Sequence, residues 1–204
     1  MPYLLGLTGN IACGKSSVGQ LLAARPEVEY IDADAVVHAL YESGTPEVQA
    51  ILAYFGPGIR SADGTIDRRA LGDLVMADPA ALRALERILI PGVRARIQAL
   101  IAGATRPVLV LDAIKLIEAG YVEQCQAVWV VTCTRATQLA RLMATRGLTR
   151  AQAVARIDAQ GPQSAKVRHA TRIIPNDGDL SALRNAVEAA WARDIAPHLA
   201  ADRQ

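Results

Sequence analysis

Short apolar runs punctuate the chain, and most of what separates them carries the three-to-four-residue spacing of helices. PYLLGLT (Pro2–Thr8), PVLVLDA (Pro107–Ala113) and AVWVVTC (Ala127–Cys133) are nearly unbroken in apolar residues, the signature of strands buried on both faces. VEYIDAD (Val28–Asp34) reads as another buried strand ending in acids, and TRIIPN (Thr171–Asn176) as a weaker last one. After the first strand Val18, Leu21 and Leu22 share one side of a helix. AVVHALYESG is helical up to Gly44. Thr45 before Pro46 has the form of a cap with proline at the first helical position, opening PEVQAILAYFG. An Asp63-Gly64 turn precedes a further helix start, and helical spacing runs from Asp78-Pro79 to about Ala102, where Pro91-Gly92 predicts a kink or break.

Strands alternating with helices predict an α/β fold, a parallel sheet flanked by helices on both faces. The strands fall within 1–34 and 107–176, whereas 35–103 is almost wholly helical. The expected organisation is a sheet core of residues 1–34 and 104–204 carrying a helical insertion over 35–103.

Composition narrows the class. At 204 residues the chain fits one domain with room for a subdomain. Hydrophobic residues make up 51%, yet no segment approaches the ~20 uninterrupted apolar residues of a membrane span. The amino terminus shows neither a basic leader nor a cleavage site. The cysteines (Cys13, Cys125, Cys133) form no CxxC or Cys/His cluster, which suits a reducing compartment. A cytoplasmic protein is expected. A net charge of +2 gives no general attraction to nucleic acid. His38, His169 and His198 lack metal spacing and read as structural or surface residues. Trp129 reads as core in preference to an adenine stack, and Trp191 as packing for the final helix.

Gly9-Asn10-Ile11-Ala12-Cys13-Gly14-Lys15-Ser16 satisfies G-x-x-x-x-G-K-[ST] at every fixed position, between a strand and a helix. In such a loop successive backbone N–H groups wrap a phosphate at a helix start, where any side chain on the glycines would intrude. Lys15 is then expected to reach the β and γ oxygens, and the Ser16 hydroxyl to complete a Mg²⁺ shell. Cys13 reads as the occupant of a variable position, the alternative being a thiol whose pKa the helix start lowers.

The loop alone covers several nucleotide-hydrolysing and phosphoryl-transferring classes. The chain lacks a guanine-reading N-K-x-D and a transporter L-S-G-G-Q. A small kinase also needs an acid near the acceptor hydroxyl and cations over the migrating phosphoryl group. Asp32 and Asp34 end the second strand, where parallel sheets build their sites. Asp34 suits orientation or deprotonation of an alcohol and Asp32 a supporting role, while either equally suits a helix cap. Asp112, ending the third core strand, fits a magnesium-supporting position or a structural one. In TRATQLARLMATRGLTRAQAVARIDAQ (Thr134–Gln160), Leu139, Leu142 and Met143 form one apolar side, leaving Arg141 and Arg146 to point elsewhere. Two helices meeting at Gly147 make a lid over about 134–160 that closes arginines over phosphates.

With these pieces in order the sequence resembles the dephospho-coenzyme A kinase family. The segments that carry the likeness are GLTGNIACGKSSV, IDADAVVHALYESGTP, ILAYFG, DGTIDRRALGDLVM, RLMATRGLTRAQAVARIDAQ and RIIPNDG. The resemblance implies a P-loop core like that of nucleoside-monophosphate kinases, with a helical acceptor-binding (CoA) domain over 35–103 and a lid. It implies transfer of the γ-phosphoryl group of ATP to the ribose 3′-hydroxyl of dephospho-CoA, with Mg²⁺, as the last step of coenzyme A synthesis. Carried over by position, it puts ATP phosphates on Ala12, Cys13, Gly14, Lys15, Ser16 and Ser17. It makes Asp34 the catalytic carboxylate and Arg146 a phosphate-binding lid arginine, and lays Asn176 by the adenine, with Arg141 also on the nucleotide. The chain departs from the family's usual His-Pro at Ile90-Pro91, and from its P-L-L-F-E at Ile114-Lys115-Leu116-Ile117-Glu118. Lys115, Arg68 and Arg69 are candidates for contacts to the acceptor's phosphates. Another small-molecule or nucleotide kinase on the same scaffold, or a non-catalytic ATP-binding regulator, are the competing readings.

Overall fold

A computed structural model describes residues 2–201. In chain order the elements are β1 (Tyr3–Gly9), α1 (Lys15–Ala23), β2 (Val28–Asp32), α2 (Ala33–Ala39), α3 (Pro46–Phe55), α4 (Arg68–Ala77) and α5 (Pro79–Ala102). They continue with β3 (Val108–Asp112), β4 (Ala127–Thr132), α6 (Arg135–Arg146), α7 (Arg150–Asp158), α8 (Gln163–Val167), β5 (Arg172–Pro175), α9 (Leu180–Asp194) and α10 (Ala196–Ala201). The chain divides into two compact units, one built from the residues up to Ile31 and those from Ala104 onward, the other from Asp32–Gly103.

The first unit holds a five-stranded sheet in the order β2-β3-β1-β4-β5. β1 runs parallel to β3, pairing Tyr3 with Val108, and to β4, pairing Leu5 with Ala127. β4 runs parallel to β5. Every residue of β1, β3 and β4 is buried, which is why these runs are continuously apolar instead of alternating. Leu5, Leu7, Val110, Trp129 and Val131 meet Val18 and Leu22 of α1 and Leu183, Val187 and Trp191 of α9 in one core. Each such side chain contributes about 1.5–3 kcal/mol by leaving water. The Trp129 indole N–H, which burial would otherwise orphan, donates to Asp194 at 2.8 Å, and the Arg25 guanidinium stacks 4.1 Å over Trp191. Because β1 lies in the middle of the sheet, the loop leaving its carboxyl end opens where ligands of parallel sheets bind.

The second unit is helical. Asp32, Thr45, Asp67 and Asp78 cap its helices, each side chain accepting a backbone N–H of the first turn. Such caps contribute about 1 kcal/mol apiece. Its core joins Val48, Ile51, Ile59, Ile66, Leu71, Val75, Leu85 and Leu89. Two expectations are corrected by these elements. The second strand stops at Asp32 and not Asp34, because the Asp32 carboxylate accepts the Asp34 N–H and turns the chain into α2. α5 runs unbroken past Pro91. Proline removes one hydrogen bond from a helix, a loss that a helix packed along its length by α2, α3 and α4 can absorb.

Candidate active site

The loop between β1 and α1 has the geometry of a phosphate cradle. Gly14, with φ 90°, sits at the N-cap of α1 in the left-handed region, which glycine adopts without strain. A Cβ on Gly14 would drive into the Asn176 amide, and one on Gly9 would lie 2.6 Å from both the Cys13 sulfur and the Val131 carbonyl oxygen. Space therefore excludes a side chain at both glycines, and at Gly14 the left-handed backbone does so as well. Ala12 is the only non-glycine residue with positive φ among the described residues, at 58°, a conformation that costs a residue with a Cβ about 1–2 kcal/mol. The N–H groups of the first turn, Lys15 and Ser16, have no place in the helical ladder and carry the positive end of its dipole. The Ser16 side chain is exposed beside them.

Lys15 reaches across the sheet. Its ammonium forms an ion pair with Asp112, the last residue of β3, and the Tyr30 hydroxyl donates to the other oxygen of the same carboxylate. Asp112 is only 4% exposed, so its charge depends on these partners. Removing one partner of such a buried pair costs about 3–5 kcal/mol. The lysine of the loop thus rests against an internal carboxylate. The strand end at Asp112 is readable from the sequence, but nothing there points to Tyr30, which comes to it from β2 through sheet pairing.

Across the loop, the Asn176 amide donates to the Cys13 carbonyl at 2.8 Å. Arg141 from α6 donates to the carbonyls of Ala12, at 3.3 Å, and Asn176, at 2.9 Å. Ala12, Cys13, Gly14, Lys15, Ser16, Ser17, Arg141 and Asn176 thereby form one constellation inside the first unit. The Cys13 thiol is pushed up to about 11 by burial, outweighing the Lys15 backbone amide and ammonium that pull it down. The alternative of a low-pKa thiol is corrected: the buried Cys13 thiol is a neutral packing group at physiological pH.

Arg146 and Asp34 take no part in the hydrogen bonds just described. Arg146 is the last residue of α6, exposed, about 1.4 turns beyond Arg141 and so on a different side of the helix. Gly147, with φ 62°, ends α6 and leads into α7. Leu142 packs with Ala153 and Ile157 between these helices, with Leu139 partly covered. Met143 is 42% exposed, so it leaves the apolar side that the spacing predicted. Asp34 lies in the second unit, exposed in the first turn of α2, where Asp32 performs the capping and leaves the Asp34 carboxylate uncommitted to it.

Further polar contacts are visible only in three dimensions. Lys166 of α8 is buried and donates to the Ile114 carbonyl at 2.6 Å. Gln138 and Gln160 bond to the backbone of Ile11. A cavity of about 600 Å³ beside the loop is lined by Asn10, Thr134, Arg135, Gln138, Asp158 and Gly161, among others, with Arg135 and Asp158 ion-paired at 2.6 Å. In the helical unit a cavity of about 260 Å³ takes Tyr41, His38, Leu85 and Arg68 into its lining. Arg69 and, in the first unit, Lys115 are exposed. Among the described residues no group of three or more His, Cys, Asp or Glu side chains is placed to hold a metal. A cation here would have to draw on Ser16 and on phosphate oxygens, which the exposed hydroxyl at the helix start fits.

Comparison with known proteins gives this geometry a family context. A family model described as dephospho-CoA kinase matches residues 3–182. A dephospho-CoA kinase of Symbiobacterium thermophilum is 48% identical over 191 residues, covering 92% of this chain and 80% of the relative. Among solved structures, protein TT1252 from Thermus thermophilus superposes with a TM-score of 0.78 at 32% identity, covering 94% of this chain and 97% of its own. A dephospho-CoA kinase from Campylobacter jejuni superposes with a TM-score of 0.71 at 25% identity, over 94% and 96% of the two chains.

Proposed function

The chain belongs to the dephospho-CoA kinase family, and from that premise we propose how its own residues transfer the γ-phosphoryl group of ATP to the ribose 3′-hydroxyl of dephospho-CoA. The acceptor oxygen forms a bond to the γ-phosphorus, the bond from that phosphorus to the ADP oxygen breaks, and the hydroxyl proton passes to the Asp34 carboxylate. The backbone N–H groups from Ala12 to Ser17 hold the phosphates, and Lys15 balances charge on the β and γ oxygens. Arg146 adds a cation from the lid. Arg141 and Asn176, already bonded to each other and to the loop, form the floor for the adenine. Ser16 would hold Mg²⁺ together with phosphate oxygens, and the ion would neutralise phosphate charge.

The observation that carries the reading is the Lys15–Asp112–Tyr30 cluster under a glycine cradle. It keeps the lysine partnered beside the loop, where a bound phosphate would compete with the carboxylate for it. The helical unit Asp32–Gly103 is assigned the acceptor. Arg68 at its cavity supplies a cation of the kind a CoA phosphate requires, and Arg69 and Lys115 offer others. Three cysteines without a disulfide suit work in the cytoplasm.

The direct test incubates the protein with ATP, Mg²⁺ and dephospho-CoA and follows CoA and ADP together. Stoichiometric appearance of both is expected. Turnover of a nucleoside monophosphate but not of dephospho-CoA would replace the acceptor assignment, and ATP binding without any acceptor-dependent ADP would mark a regulator.

A further inference from the structure

The motif ending the lid, R-I-D-A-Q, closes on Gln160, a residue that no step of phosphoryl transfer uses. In the folded chain the Gln160 side-chain oxygen accepts the backbone N–H of Ile11 at 2.6 Å. From the other lid helix Gln138, 5% exposed, donates its amide to the Ile11 carbonyl at 2.8 Å. The partners fix the orientation of both side-chain amides, because an N–H needs an oxygen and a carbonyl needs an N–H. Asn10, one residue earlier, donates to the Gly161 carbonyl at 3.2 Å. Both hydrogen-bonding groups of one loop residue are thus taken by side chains of α6 and of the end of α7, and the neighbouring residue is tied there too.

The next residue along the chain is the one that needs such a grip. Ala12 holds φ 58°, a conformation that persists in a non-glycine residue only when its surroundings over-determine it. Its carbonyl, immediately downstream of the gripped Ile11, receives Arg141. From there the backbone proceeds through Cys13 and Gly14 into the N–H groups that would face phosphate. We infer that Gln138 and Gln160 are positioning residues: a two-sided clamp on Ile11 that holds Ala12 in its left-handed conformation and ties the shape of the phosphate loop to the lid helices. Neither glutamine needs to touch the nucleotide. A movement of α6, or of the segment that follows α7, relative to the loop acts on these bonds, which couples lid position to loop geometry.

The inference rests on the kinase reading only for its effect on ATP use, so its first test employs the ligand-free protein. Hydrogen exchange of the Ile11 amide is compared with that of the Val110 amide in the buried sheet. Gln160→Leu should accelerate Ile11 exchange at least about tenfold, the scale of one lost hydrogen bond, with Val110 unchanged. Gln160→Glu retains an acceptor and should stay within about threefold of the parent. At position 138 the polarity reverses: Gln138→Glu faces a carbonyl with a carboxylate and should raise the KM for ATP about tenfold with kcat within about threefold, on the same scale. Ala12→Gly, which removes the strain the clamp restrains, should recover most of that loss. Unaltered Ile11 exchange in Gln160→Leu would overturn the clamp. So would equal acceleration of Ile11 and Val110, which would mark ordinary packing, or strict additivity between Ala12→Gly and Gln138→Glu, which would uncouple the glutamine from the strain.

Discussion

Polar side chains are used differently in the two units of the chain, and the contrast sorts what motif reading can find from what it cannot. In the sheet unit the loop that faces phosphate is fixed by polar contacts between residues far apart in sequence, such as Lys15 with Asp112, 97 positions apart, and Ile11 with Gln160, 149 apart. In the helical unit the side-chain hydrogen bonds that start the helices are short-range, made by caps such as Asp67 to Arg69 and Ala70. Its cohesion comes from the apolar core around Ile51 and Leu71. A site that must stabilise developing charge needs dipoles preset in place. A unit assigned to hold an acceptor through helices needs mainly a packed shape.

The largest effects should appear where charge is involved, and they differ between the units. Lys15→Ala removes the ammonium from the ground and transition states and leaves Asp112 buried without its cation. Turnover should fall by at least about 10³ with nucleotide binding weakened as well. Asp34→Ala, in the helical unit, should reduce turnover by about 10²–10⁴, the range of a general base, and leave the affinity for ATP within a few-fold. Equilibrium ATP binding and single-turnover rates on both variants separate the two. Near-normal turnover in Asp34→Ala would reassign that carboxylate to a structural role and dissolve the division of labour.

The next effect concerns stability. Ile51 is fully buried in the helical core, and Ile51→Ala should cost about 2–5 kcal/mol. If the two cores melt separately, urea unfolding should show a first transition that removes only the part of the helical signal owed to α2–α5, while metal-free ATP still binds the sheet unit with parental affinity. A single transition with simultaneous loss of binding would show that the contrast in construction does not extend to cooperativity.

A smaller effect probes the internal ion pair. Asp112→Asn keeps the shape and a hydrogen-bond partner for Tyr30 but no longer competes with phosphate for Lys15. Metal-free ATP should then bind about tenfold more tightly, the roughly 1.4 kcal/mol expected when a charge-assisted bond need not be broken first. Weaker metal-free binding would instead make the carboxylate essential for keeping Lys15 extended.

The same contrast governs how much could be read from the chain alone. β1, β3 and β4 were legible because burial on both faces leaves unbroken apolar runs, whereas the edge strands β2 and β5 are only partly buried; Gly9, Gly14, Lys15 and Ser16 were legible because a backbone cradle tolerates few residue types at fixed spacing. Thr45-Pro46 announced α3 through local cap chemistry. A local signal did not decide the outcome at Pro91, which lies inside an unbroken α5 on which α2, α3 and α4 all pack. β2 ends early for a local reason, since the Asp32 side chain bonds within its own turn. Met143 has apolar chemistry but stays 42% exposed, outside the Leu142–Ala153–Ile157 cluster. Gln138, Tyr30 and Lys166 left no trace in the sequence, since an isolated polar residue acquires its meaning only from the atom that folding brings to it.

The smallest predicted effect belongs to the sheet unit alone, because the helical unit contains no cysteine. Burial pushes the Cys13 and Cys125 thiols from the ordinary 9.0 up to about 11. In the unfolded chain each thiol ionises near pH 9, whereas in the folded chain it stays protonated until about pH 11. The folded state therefore binds more protons across that window, and stability falls as pH rises through it, having been fully present below about pH 9. At about pH 10 the unfolded form gains about tenfold in statistical weight per thiol, about 1.4 kcal/mol. Thermal or urea melts of the parent and of Cys125→Ala at about pH 7.5 and about pH 10 should show a decline in stability about 1 kcal/mol smaller in the variant, with other titrating groups cancelling in the comparison. An equal decline would mean that the Cys125 thiol reaches solvent in the folded protein. The long-range packing that distinguishes the sheet unit would then be looser behind β1 than at the phosphate loop in front of it.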